Sequence, residues 1–465
     1  MVVGDKKKQK KVLGVFALVM INVIAVDSLR SLPFSAAYGF SLIFYYLVGA
    51  LFFFLPIGLV SAELATAWPN KGGIYVWVRE AFGDFWGFMV IWLQWVYNIV
   101  WYPTILSFLA ATLAYLIDPQ LAENRLFMLL TVLGIFWAAT LLNCLGMKMS
   151  SVISTIGALV GTLIPMLFII ILGITWVYLD KPMQINFTKL DFFPDLSDPK
   201  ILAFLTALLF GLVGIEMSAV HADEVKNPGR AYPRAIFYST VIILTSLILS
   251  SLAIAVVVPR NDLSVVTGLV QAFEIFFTAF HIKWMSPIIT ILIIVGGIGC
   301  VAAWIIGPTK GLLVAAQDGC APKILTKVNK KGVPIVILMA QSSIFSILCT
   351  VFLLMPTVSS SYWLLTAMTA QLAMFVYVAL FAAAIYLRYK RPDVARAYRV
   401  PFKNIGMWLV CLLGALTSIF VVGLGFVPPA QIEIGSIRIY EIILTTGVLL
   451  LSLPPLLIYY RWGQS

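Results

Sequence analysis

Charge is what this sequence holds least of. Only 11% of its 465 residues are Asp, Glu, Lys or Arg, where a soluble domain carries roughly 25%. That shortage excludes a free-standing soluble fold. The five cysteines (Cys144, Cys300, Cys320, Cys349, Cys411) stand apart, without CxxC or Cys/His spacing. They read as small buried hydrophobes rather than as a zinc centre or a disulfide framework. Walker A, HExxH and GxSxG patterns are absent, so no nucleotide engine, enzyme constellation or cofactor site is expected, and no soluble appendage is expected at either end.

What fills the chain instead is apolar. Hydrophobic residues make up 62% and the mean hydropathy is +1.02. A bilayer core of ~30 Å is crossed by about 20 apolar residues in a helix. Twelve such spans are predicted, at roughly 12–38, 41–67, 83–115, 126–147, 152–178, 200–222, 235–258, 285–315, 335–356, 362–388, 404–427 and 439–460. The opening MVVGDKKKQKK has the charge of a signal peptide's first region. The apolar run behind it is too long and contains Asp27 and Arg30, so it reads as a retained span.

The net charge of +11 is explained by position rather than by nucleic acid. Five lysines precede the first span and a second cluster runs from Arg388 to Lys403. Basic clusters at membrane boundaries mark the cytoplasmic side, which predicts a cell (inner) membrane protein with both termini in the cytoplasm. Of the outer segments, Leu263 to Phe280 is expected to form a helix on the outer surface. Gly157 to Gly161 (GALVG) matches GxxxG, a close helix-packing signal. Glu63, near Lys71, reads as a boundary salt bridge, and His221 as a solvated or pH-sensing boundary histidine.

Two spans are interrupted. Val26 to Pro33 reads VDSLRSLP, placing Asp27 and Arg30 at mid-membrane, where each charge costs about 2.5–3.5 kcal/mol on insertion scales. On an intact helix the two, three residues apart, would share a face and pair. The other reading is a broken helix, loosened at Ser28, Ser31 and Pro33, with proline starting the second half. Phe210 to Glu216 (FGLVGIE) is the counterpart in the sixth span, with Gly211 and Gly214 at the weak point and Glu216 as a further buried carboxylate. Breaks at the first and sixth of ten helices follow an inverted-repeat pattern. Half-helix N-termini at such breaks attract a carboxylate and freed carbonyls accept from an ammonium, which suits a zwitterion.

The stretches Gly39–Gly83, GIEMSAVHADEVKNPGRAYP (Gly214–Pro233), WIIGPTKGLLVAAQDGCAP (Trp304–Pro322) and KRPDV from Lys390 resemble the amino acid–polyamine–organocation superfamily, most closely its glutamate/γ-aminobutyrate antiporter branch. The resemblance implies an all-α fold of twelve helices, a five-plus-five inverted repeat with helices 1 and 6 broken and two helices added. The segments would be a basic tail (1–11), a first repeat (12–178), a second repeat (199–390) and the last two helices (404–461). It implies amino acid transport, usually by exchange, with an amino acid or amine as substrate.

Carried over by the same resemblance, the substrate-binding set is Asp27, Ser28, Leu29, Arg30, Ser31, Phe210, Gly211, Gly214, Cys300 and Trp304. The gating set is Gln94, Phe210, Glu216, Trp304 and Tyr377. Asp27 would hold an ammonium group and Arg30 a carboxylate, whose planar fork its guanidinium matches; mutual pairing is the alternative for both. Glu216 would act as a lock between conformations or as a proton carrier.

Three departures stand out. Cys300 occupies the place of an acidic residue in the glutamate exchangers, and the C-terminal plug of that branch has no counterpart before Ser465. The Leu29–Pro33 signature is closer to relatives that exchange an amino acid for its decarboxylated amine, which would pair this protein with a cytoplasmic decarboxylase. The fifth span has no lysine, and Ala302 and Ala303 offer no hydroxyl, which disfavours sodium coupling. The alternatives to an antiporter are a proton-coupled amino acid symporter and a membrane amino acid sensor.

Overall fold

A computed structural model describes residues 13–69, 72–144, 159–194 and 199–462, with backbone alone at 159, 199, 220–223, 303 and 462. The described chain is helical, and its apolar helices give twelve spans when the bent first pair counts as one. Those spans are Val15–Val26 with Leu29–Ala36, Gly39–Ala67, Asp84–Ile117, Arg125–Cys144, Val160–Tyr178, Lys200–Ala219, Pro228–Val257, Lys283–Gln317, Ile335–Leu354, Val358–Lys390, Lys403–Leu424 and Ile437–Arg461. Each falls where the hydropathy placed it. The early part of the fifth span, and Gly157 with it, lies outside the described residues.

Burial sorts these helices into an inner and an outer set. In the third span 78% of the apolar window is buried within the protein, against 11% in the twelfth. The third span packs on the eighth and tenth, and the first on the seventh and on the far half of the sixth. The broken helices therefore sit at the centre, while the late helices present their apolar sides outward, as lipid-facing surfaces do.

Local chemistry explains the irregularities. A π-turn at Ala50–Phe54 precedes Pro56 in the second span. Proline has no N–H for the carbonyl four residues back, and that carbonyl, on Phe52, accepts from Thr417 Oγ1 of the eleventh span at 3.3 Å. Gly161 and Gly296 meet backbone to backbone, since a Cβ built on Gly161 would lie 2.3 Å from the Gly296 Cα. The GxxxG signal thus ends at a true close crossing, of the fifth and eighth spans. The helix expected within 263–280 forms at Gly268–Ala279. Its Leu269, Phe273 and Phe276 face is buried and its Gly268 sits against Pro33, so it covers the second half of the first span.

Candidate functional site

Helical hydrogen bonding in the first span stops at Asp27, whose amide donates to Val23 O at 2.8 Å. Asp27 (ψ 118°) and Ser28 (φ −140°, ψ 121°) are extended. The chain then recovers through a 3-10 turn at Leu29–Ser31 into Leu32–Ala36, with Pro33 in the first turn. The halves meet at 43°. Val26 to Leu32 is therefore not a continuous helix, and the last carbonyls of the first half are left without amide partners four residues on. Ser31 Oγ secures the turn by donating to Ser28 O at 2.9 Å.

The sixth span is helical through Gly211, unwinds over Leu212–Gly214 and continues as a 3-10 segment, Ile215–Glu224. Gly214 is required twice. Its φ of +127° lies outside the range of side-chain-bearing residues, and a Cβ there would approach Ala25 O to 3.1 Å. Gly211 faces Ser31, but at ordinary contact distance. The two breaks thus touch each other, Gly214 behind Ala25 and Gly211 beside Ser31.

Between them lies a cavity of about 60 Å³. Of the residues expected to bind substrate, Asp27, Ser28, Arg30, Phe210, Gly211, Cys300 and Trp304 line it. Leu29, Ser31 and Gly214 instead shape the backbone behind it. The third span contributes Tyr97, Asn98 and Trp101, which sequence reasoning passed over in favour of Gln94. Gln94 is off the lining, one turn away, with its carbonyl accepting from Asn98 Nδ2 at 2.7 Å. The available signal was a lone asparagine in an apolar span, with Tyr97 and Trp101 one turn apart on one face.

The two charges do not neutralise each other. Among the described residues Asp27 and Arg30 form no ion pair. Both Asp27 oxygens lie 3.1 Å from Ser246 Oγ of the seventh span, a hydroxyl that also reaches Ile243 O at 2.9 Å. The extended Asp27–Ser28 backbone is the cause, because it removes the helical turn that would have stacked the two side chains. Arg30 is buried at 3% exposure, and its Nε and Nη1 have no hydrogen-bond partner. Its guanidinium carbon lies 5.7 Å from the Phe210 ring centroid, within cation–π range. A guanidinium stays charged in proteins, and burying it without a carboxylate and with two nitrogens unbonded is expensive.

Trp304 closes another side, its ring 6.0 Å from Trp101 and its carbonyl held by Tyr102 OH at 2.8 Å. Glu216 and Tyr377 are off the cavity. They bond to each other at 2.7 Å, tying the sixth span to the tenth, and Glu216 Oε2 has no partner. The side chain of His221 lies outside the described residues.

Toward the end of the protein that bears the basic clusters, polar contacts are denser. Glu63 forms the salt bridge expected of it, as a buried interfacial group with arginine partners; Lys71 lies outside the described residues. Glu63 is 1% exposed, bonded to Arg388, 3.2 Å from Arg396 Nε and accepting from the Val400 amide at 2.7 Å. Its partners were not legible in the sequence, since Arg388 is 325 residues away. Arg79 and Asp318 make a second, half-exposed pair at 2.5 Å, with Tyr75 OH donating to Asp318 at 2.7 Å. Burial, then that bond, pushes the Tyr75 phenol above its ordinary range, so it remains a donor.

The cavity thus offers one carboxylate and one guanidinium with two unbonded nitrogens between two helix breaks. At about 60 Å³ it has room for about two waters at ~30 Å³ each, against the 300–1,000 Å³ of common small-molecule sites. In this conformation it is too small to hold an amino acid.

Comparison with known proteins agrees with this architecture. An uncharacterized transporter of Legionella pneumophila is 54% identical over 446 residues, 96% of each chain. A glutamate/gamma-aminobutyrate antiporter of Lactococcus lactis is 31% identical over 97% of this chain and 90% of its own. A probable agmatine/putrescine antiporter of the same species is 26% identical over 84% of this chain and 83% of its own. Residues 11–449 match the amino acid permease family over nearly the whole length, and the chain is a multi-pass membrane protein that belongs to that family.

Proposed function

We propose that this permease is an antiporter that exchanges an amino acid for another amino acid, or for its decarboxylated amine, by alternating access. The observation that carries the reading is the buried Arg30 guanidinium, which faces the cavity with two nitrogens unpartnered. A substrate carboxylate is the group that completes it, in bidentate geometry. The substrate ammonium competes with Ser246 for Asp27 and takes the carbonyls freed at the breaks. An amine keeps the second contact and loses the first.

The missing hydroxyl at Ala302 disfavours sodium-driven uptake, and the antiporters of Lactococcus lactis to which the chain is similar favour exchange. Phe210 and Trp304 act as the gates that must swing away before substrate enters, and the Glu216–Tyr377 bond as the lock that persists or breaks between states. Residues 12–178 and 199–390 form the two repeats, followed by the last pair of helices at 404–461. Both termini face the cytoplasm of the cell membrane, where a decarboxylase supplies the outgoing amine.

The test is labelled uptake into proteoliposomes loaded with candidate amino acids and their amines. Uptake that requires an internal partner supports exchange. Uptake into empty vesicles driven by a pH gradient replaces it with proton symport, and binding without uptake replaces it with a sensor.

A further inference from the structure

A second cavity lies away from the centre and is roomier than the central one. About 520 Å³ lies between the end of the tenth span and the start of the eleventh, lined by Arg388, Arg399, Lys403, Asn404, Phe402 and Ile405. Three of these carry positive charge and none is acidic. Glu63 lies behind Arg388 and already serves Arg388 and Arg396 together with the Val400 amide, which leaves Arg399 and Lys403 as charges without a bonded carboxylate in this structure. Both are exposed.

The cavity is held open by backbone. Phe402 (φ 62°) and Lys403 (φ 53°) are both left-handed, and a Cβ on Gly406 would collide with Pro401 O at 1.8 Å. The loop therefore folds back tightly on the helix start, and Phe402 is turned outward to 85% exposure.

We infer that this cavity binds the headgroup phosphate of an anionic phospholipid. Charge alone would fit any phosphate. What selects a lipid is the apolar surface that continues from the cavity down the eleventh span. Ile405, Leu409, Leu412 and Leu416 are exposed and spaced by four, three and four residues, which puts them on one helix face. Phosphate at Arg399 and Lys403 thus places acyl chains along that stripe. Basic pockets between membrane helices at the cytoplasmic boundary recognise lipid headgroups in this way.

The experiment is native mass spectrometry of the full-length protein in detergent, titrated with phosphatidylglycerol, phosphatidylcholine or water-soluble glycerol phosphate. Phosphatidylglycerol is expected to be retained in preference to phosphatidylcholine, with glycerol phosphate retained least. In Arg399→Gln/Lys403→Gln, apparent affinity falls about thirtyfold, from roughly 1 kcal/mol per basic side chain. Lys403→Gln alone gives an intermediate loss, and both sites are exposed, so folding is preserved. Equal retention of the two lipids, unchanged affinity in the double variant, or glycerol phosphate binding as tightly as the lipid would each overturn the inference.

Discussion

Two buried arginine sites in this protein have opposite characters. Around Glu63, Arg388 and Arg396 are nearly saturated. Arg388 Nε donates to Asn404 Oδ1, and Arg396 Nη1 and Nη2 donate to the carbonyls of Val394, Leu387 and Arg391. Arg30, equally buried, has two nitrogens with nothing to donate to. A polar network that is complete rigidifies the fold, whereas an incomplete one carries a standing cost that only function explains. The first site holds the second span to the tenth; the second is reserved for something that arrives.

Substitutions that separate a holding role from a receiving one sharpen this contrast. The largest effect is expected from Arg30→Ala. Losing one side of a buried charge contact costs about 2–5 kcal/mol in binding, so uptake at low substrate falls at least about thirtyfold. Its thermal midpoint stays level or rises, because an unpaired buried charge has gone; thermal unfolding in detergent beside vesicle uptake checks both. Glu63→Ala is the mirror image. It strands two buried guanidinium groups and is expected to lower stability by about 3–5 kcal/mol, with transport falling only as folded protein is lost. If Glu63→Ala protein folds normally yet fails to transport, the contrast breaks.

Smaller effects refine it. Gly214→Ala forces a side chain into a left-handed φ against Ala25 O, a strain of about 1–3 kcal/mol that displaces both breaks; uptake falls more than stability does. Tyr377→Phe removes the phenol hydrogen bond to Glu216 Oε1 and is expected to cost about 1–3 kcal/mol, seen as a lower unfolding midpoint. Arg79→Ala is the weakest. Its pair with Asp318 is about a third exposed on each side, and such pairs contribute about 0.2–1 kcal/mol, so a shift of a degree or two is expected.

Much of the fold was legible because a bilayer imposes length on apolar segments and makes interruptions conspicuous. Pro33, the two charges of VDSLRSLP and Gly214 all mark breaks that the backbone takes. The site was legible only where one segment carries the chemistry. Ser246 could not be found, since a serine in an apolar helix has no signature for the carboxylate 219 residues away that it meets. Tyr97, Asn98 and Trp101 depended on the rotation of the third span, which periodicity cannot set when a helix is apolar all round. The Asp27–Arg30 pair was drawn on an intact helix, and two extended residues were enough to undo it.

The most direct test is equilibrium binding to the purified protein of an amino acid and of its decarboxylated amine, in wild type and in Arg30→Ala. Once the uptake panel has named the substrate, the wild type should favour the amino acid, and Arg30→Ala should bind both about equally weakly. An Arg30→Ala protein that still prefers the amino acid would show that its carboxylate is held elsewhere, and that the Arg30 guanidinium is not its receptor.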